Sequence, residues 1–130
     1  MPVRWISVVV DCYDVRAQAV WWAAVLKWTV AYESDDEIVI VPPYALDGRR
    51  TVPVEERGPG LVFVPVPETK QLKNRLHLDL APRAHEDHAA AVIRLVELGA
   101  KLIDIGQRDV PWIVLADPEG NEFCVLSPRD

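Results

Sequence analysis

The chain is short of basic residues, cysteine and long apolar runs, and each shortage narrows its class. Lysine and arginine number 14 against 20 acidic residues, a net charge of −6. An acidic surface disfavours non-specific binding to nucleic acid or to an anionic membrane, since both need a basic one. The only cysteines are Cys12 and Cys124. They form neither a CxxC pair nor any zinc-finger spacing, so a disulfide scaffold and a structural zinc module are not expected. In a reducing compartment both would be free thiols. No apolar run approaches the roughly 20 residues of a membrane span. The run from Trp5 to Val10, ended by Asp11, is too short for a secretion signal, so a cytoplasmic protein is expected. The chain also lacks a phosphate loop, a glycine-rich fingerprint, a Ser-His-Asp spacing and a basic aromatic patch.

At 130 residues the chain has the size of one domain, and half its residues are apolar, enough for a core without metal or disulfide. Arg4 to Asp11 is rich in valine and isoleucine and predicts a buried strand. Asp14 stands at an N-cap position, and Val15 to Trp28, without glycine or proline, predicts a helix with Ala19, Trp22 and Leu26 on its apolar stripe. Strands follow at Thr29 to Glu33 and Glu37 to Val41. Pro42 to Gly60, with four prolines and three glycines, predicts a long loop that is either functional or mobile. Leu61 to Val66 predicts a strand, and its Pro65 argues for an edge or a bulge.

Glu68 to Asn74 is polar and predicts a linker. Beyond it, Arg75 to Ala81 alternates, with Leu76, Leu78 and Leu80 on one face and Arg75, His77 and Asp79 on the other. His85 to Leu98 predicts a helix with apolar Ala89, Val92, Ile93 and Val96 at i, i+3, i+4 and i+7 and Gly99 as its C′ residue. Lys101 to Ile105, Trp112 to Ala116 and Phe123 to Leu126 predict strands, the last two joined by a hairpin at Asp117-Pro118-Glu119-Gly120-Asn121. Strand, helix and three strands thus occur twice. Ile6-Ser7-Val8 aligns with Leu76-His77-Leu78, and Phe63-Val64 with Phe123-Cys124. The expected fold is α+β. It is a single domain of two βαβββ modules, about 1–68 and 74–130, forming an eight-stranded curved sheet around a cleft.

Leu76-His77-Leu78-Asp79-Leu80, Val96-Glu97-Leu98-Gly99-Ala100 and Asp117-Pro118-Glu119-Gly120-Asn121-Glu122-Phe123 resemble the second module of the glyoxalase/bleomycin resistance/dioxygenase (vicinal oxygen chelate) superfamily, most closely its glyoxalase-like branch. Trp21-Trp22 through Leu26-Lys27-Trp28 is similar to the helix of that family's first module, which usually ends near Leu-Gly-Trp. The family holds metal-dependent isomerases, epimerases, dioxygenases and thiol transferases, and also proteins that sequester a drug without catalysis, so the resemblance leaves the function open. It also implies a homodimer.

In active members a divalent metal is held by four side chains, two from each module, and acts as a Lewis acid on two vicinal oxygens of the substrate. The resemblance maps those positions onto Ser7, Val64, His77 and Cys124. Only His77 is a usual ligand. Val64 has no donor atom, neutral Ser7 is a poor one, and Cys124 suits only a soft metal. No tightly bound catalytic metal and no other cofactor is therefore expected. A displaced set of His77, Asp79 and Glu122 is the alternative ligand group, since strand alternation places Asp79 and Glu122 on the faces of His77 and Cys124.

The leading expectation is a protein that binds a small aromatic or hydrophobic molecule in the cleft, lined by Trp5, Ser7, Val64, His77, Asp79, Trp112, Glu122 and Cys124. Its partners would be that molecule and a second copy of the chain, with no nucleic acid and no membrane. His77, oriented by Asp79, is the candidate acid/base, against a purely structural histidine. Cys124 is a nucleophile only if a base adjoins it and its pKa falls, against a small buried hydrophobe. Trp21, Trp22 and Trp28 read as core. The rivals are a metal-dependent lyase, isomerase or dioxygenase with unusual ligands, and an inactive domain kept for oligomerisation.

Overall fold

The computed structural model describes residues 3–49 and 51–130. The chain divides into two compact units, residues 1–69 and 70–130. The first unit runs β1 (Ser7–Cys12), α1 (Val15–Leu26), β2 (Thr29–Glu33), β3 (Ile38–Val41) and β4 (Gly60–Pro65). The second runs β5 (Leu78–Leu80), α2 (His88–Glu97), β6 (Lys101–Leu102), β7 (Ile113–Ala116) and β8 (Glu122–Val125). Each forms a four-stranded mixed sheet, ordered β1-β4-β3-β2 and β5-β8-β7-β6. In both, the first strand pairs parallel with the last and the other pairs are antiparallel. The repeat read from sequence is therefore a repeat of topology.

In the first unit the Asp14 carboxylate caps α1 by accepting from the Ala17 N–H at 3.1 Å. The helix packs on β3 and β4, where Ile38, Ile40, Leu61 and Phe63 are buried. Trp21 and Trp22 are both buried, their rings edge to face with centroids 5.0 Å apart. The helix ends at Lys27, whose φ of 55° is left-handed, a conformation that glycine adopts without the Cβ clash a lysine incurs. Lys27→Gly is expected to stabilise the protein by about 1 kcal/mol. Urea unfolding checks this, and a midpoint equal to or below that of the unsubstituted chain contradicts it.

Tertiary context refines two expectations in this unit. Pro65 is not on an edge strand, since β4 lies between β1 and β3. It is tolerated because β3 pairs with β4 only as far as Phe63. The Val66 N–H, donating to Cys12 O at 2.9 Å, faces β1, so the missing N–H of Pro65 faces the side that β3 has left. Residues 42–60 are not structureless: they hold two 3-10 turns, Pro43–Leu46 and Val54–Glu56. The Gly58 N–H donates to the Tyr44 hydroxyl at 2.8 Å and ties the segment's ends together.

In the second unit α2 begins at His88, capped by Asp87 accepting from the Ala90 N–H, and it buries Leu95 while Ile93 and Val96 stay exposed. The sequence carries two overlapping stripes at helical spacing. A hydrogen bond of 3.1 Å between His88 Nε2 and Val125 O fastens the one containing His88 and Leu95 to β8.

Candidate functional site

The hairpin that identifies the second module is a hydrogen-bonded turn. Asp117 is buried, and its Oδ1 accepts from the N–H groups of Glu119 and Asn121, each at 2.9 Å. Its Oδ2 accepts from Asn121 Nδ2 at 3.0 Å, and the Gly120 N–H closes the turn onto Asp117 O at 2.9 Å. Pro118 sits at the second turn position, where its fixed φ fits, and Gly120 takes φ 88°. The turn sets the register of β7 on β8, with Ala116 opposite Glu122 and Val114 opposite Cys124.

β5 then lies parallel beside β8 with Asp79 opposite Cys124. His77 precedes Asp79 by two residues and shares its face. His77 Nε2 stands 3.2 Å from Asp79 Oδ1, with about half of each side chain exposed, 45% and 51%. One ligand atom from each of His77, Asp79 and Cys124 lies within 4.8 Å of the others. Burial pushes the Cys124 thiol pKa up, and the neighbouring Asp79 adds to this against a smaller opposing effect of Lys73. A thiol held in its neutral form opposes the nucleophile reading of Cys124.

Glu122 does not join this group. Its Oε1 accepts from Lys70 Nζ at 3.0 Å and its Oε2 from the Asn74 N–H at 2.9 Å. Burial would raise the Glu122 pKa, but the bonds from Asn74 and Lys70 outweigh it and hold the carboxyl below its ordinary value. Glu122 thereby anchors the 70–74 segment that leads into His77. That segment, expected as a linker, belongs at Lys70 and beyond to the second unit. No local signal announces Lys70 and Asn74 as partners of Glu122, because the contacts span 52 and 48 residues. Trp112 stands just ahead of β7 and is partly exposed.

In the first unit Ser7 pairs with Gly60, whereas Val64 pairs with Asp11. The two positions that the resemblance assigns to metal are thus offset by four residues along the strand pair, roughly 13 Å at the rise of a β-strand. Trp5 lies before β1, exposed, its indole N–H donating to Ser7 O at 3.0 Å. Sequence reasoning missed the row beyond it. Val9, Val62, Val39 and Tyr32 sit opposite one another across β1, β4, β3 and β2, on the face alternate to the buried core. Val9 is 58% and Tyr32 54% exposed, while Val62 and Val39 are half-buried. One more step of the alternation that joins Trp5 to Ser7 would have reached Val9.

Two βαβββ units of identical strand order define the fold of the glyoxalase/bleomycin resistance/dioxygenase proteins. Residues 7–126 match the family model described as a glyoxalase-like domain, and the chain belongs to that family. Among solved structures it is similar to the fosfomycin resistance protein FosX of Listeria monocytogenes, there in complex with Mn(II) and dihydroxypropylphosphonic acid. The TM-score is 0.70 at 12% identity, covering 98% of this chain and 92% of that one. It is likewise similar to a glyoxalase/bleomycin resistance protein/dioxygenase family enzyme of Burkholderia phytofirmans, with TM-score 0.68, 17% identity and coverage of 96% and 98%. A third such structure is the oxidase ChaP-H2, with TM-score 0.61, 17% identity and coverage of 98% and 94%. No curated protein sequence matches the chain.

The residues here do not fit a hard divalent metal of the Mn(II) kind at the positions the family uses. Val64 offers no donor, Ser7 is displaced from it, and Cys124 puts a thiol where a carboxylate is needed. What the chain does present is a possible ligand group of a different make-up, His77, Asp79 and Cys124, all in one unit. Among the described residues no helix is long and apolar enough to cross a membrane.

Proposed function

We propose that this glyoxalase-like protein binds a small aromatic or hydrophobic molecule on the open face of its first sheet, without the family's two-module metal. The row Val9–Val62–Val39–Tyr32 carries this reading. It places apolar side chains in register across all four strands, with both ends exposed, on a face that α1 leaves bare. An apolar surface of this kind on a small protein marks a binding face more often than chance exposure does. Exposed Trp5 adds an aromatic ring at the Ser7 end. Ser7 and Val64 belong to the same face by alternation and contribute shape rather than coordination. In the second unit His77, held by Asp79, is the acid/base group of the protein. Its imidazole is accessible, and a carboxylate at 3.2 Å orients the ring.

A thermal-shift and fluorescence screen with aromatic and hydrophobic metabolites, run in chelator, tests the reading. At least one compound is expected to bind, and Val62→Lys to weaken it by about tenfold or more, since an ammonium would have to be desolvated beneath the ligand. Binding unchanged by Val62→Lys and Val9→Lys, or present only when Mn(II) replaces the chelator, would refute it.

A further inference from the structure

The second sheet carries a group of possible metal ligands in which Asp79 joins His77 and Cys124, the two positions that the resemblance assigns to this module. Asp79 and Cys124 are register partners on adjacent parallel strands, and His77 is next on the same face. Their donor atoms lie within 4.8 Å of one another. Bonds of 2.0–2.3 Å to a tetrahedral Zn²⁺ place ligand atoms roughly 3.3–3.8 Å apart, so closing around the ion needs side-chain shifts of about 1 Å. His77 and Asp79 are about half exposed, while Cys124 is buried.

We propose that His77, Asp79 and Cys124 form a one-unit site for a thiophilic divalent cation of the Zn²⁺ type, in place of the hard-metal site spread over both modules in metal-using relatives. Three arguments carry it. Imidazole and thiolate together prefer zinc over manganese. One carboxylate and one thiolate neutralise a divalent ion. Three protein ligands at a half-exposed position leave a fourth place for water or a ligand atom, the arrangement of reactive rather than structural zinc. On binding, the Cys124 S–H gives its proton to solvent and the S–Zn bond forms; no electron is transferred. The inference rests on the reading of this corner as the reactive part of the second unit.

The test uses the full chain, stripped with chelator and titrated with Zn²⁺ against a chromophoric competitor. One equivalent is expected to bind. Co²⁺ in its place is expected to give a thiolate-to-metal charge-transfer absorption in the near ultraviolet. That band should vanish in Cys124→Ser and persist in Cys12→Ala. Asp79→Asn and His77→Ala should each weaken Zn²⁺ on the order of 10–100-fold, at least what loss of a supporting shell costs. Circular dichroism shows each variant folded, and exposed Asp79 keeps the test valid should Cys124→Ser unfold. Absence of the band, its survival in Cys124→Ser, full Zn²⁺ affinity in Asp79→Asn, or displacement of Zn²⁺ by equimolar Mn²⁺ overturns the proposal. The apolar ligand of the first sheet is measured in chelator, so loss of either result leaves the other standing.

Discussion

Glu122→Gln is expected to lower the stability of the protein by about 2–3 kcal/mol, and the unfolding midpoint by about 8–12 °C. The carboxylate is buried and accepts two charge-strengthened bonds, from Lys70 Nζ at 3.0 Å and the Asn74 N–H at 2.9 Å. Glutamine keeps the shape but loses the charge, leaving the largely buried Lys70 ammonium without its counter-ion. A double-mutant cycle with Lys70→Met separates the pair from the packing around it. The expected coupling is above about 1 kcal/mol, and a coupling near zero would mean the pair adds nothing beyond shape. The same contact has a pH signature. The folded-state pKa of Glu122 is lowered, so its contribution is fully present above the unfolded carboxylate value and is lost as pH falls through the folded one. The wild type should therefore lose stability more steeply than Glu122→Gln on acidification below the ordinary carboxylate range. Parallel stability–pH curves for the two would exclude this role.

Asp117→Ala is expected to cost a further 2–4 kcal/mol in its own right, about 1–3 for each backbone donor left unsatisfied less what water recovers. Three bonds converge on this carboxylate, two of them from the turn's own N–H groups. Asp117→Asn keeps an acceptor for those two and should lose less than half as much. The readout is the urea midpoint at unchanged denaturant slope. A loss below about 0.5 kcal/mol in Asp117→Ala would show that Pro118 and Gly120 alone hold the turn. Because this turn sets Val114 opposite Cys124, an Asp117→Ala protein that stays folded should also bind Zn²⁺ more weakly than the wild type.

The sequence discloses whatever depends on neighbours along the chain. β2 at Thr29–Glu33 and the start of α1 at Val15 follow from composition and the Asp14 cap. The shorter outcome at β5 does not. Arg75 to Ala81 alternates throughout, yet only Leu78–Leu80 pairs with β8, and Leu76, on the face of Leu78 and Leu80, is 88% exposed. Alternation says which residues share a face, but only a partner strand says how many of them it covers. The face of α2 has the same origin, since two stripes satisfy one period and the bond from His88 to Val125 O selects between them.

The candidate site divides along the same line. That Val64 carries no donor and that position 124 holds a thiol are facts of residue chemistry, and from them the sequence by itself determined that the family's hard-metal set is broken. It also determined the βαβββ repeat and the Asp117–Asn121 turn, because caps, turn residues and strand periods act over a few positions. Which residue completes a group with His77 was decided only by tertiary structure. Face periodicity allowed Glu122 as readily as Asp79. The parallel register of β5 on β8 set Asp79 beside Cys124, and Lys70 with Asn74 drew Glu122 away. These are contacts between residues more than 40 positions apart, and no local pattern encodes a register of that range.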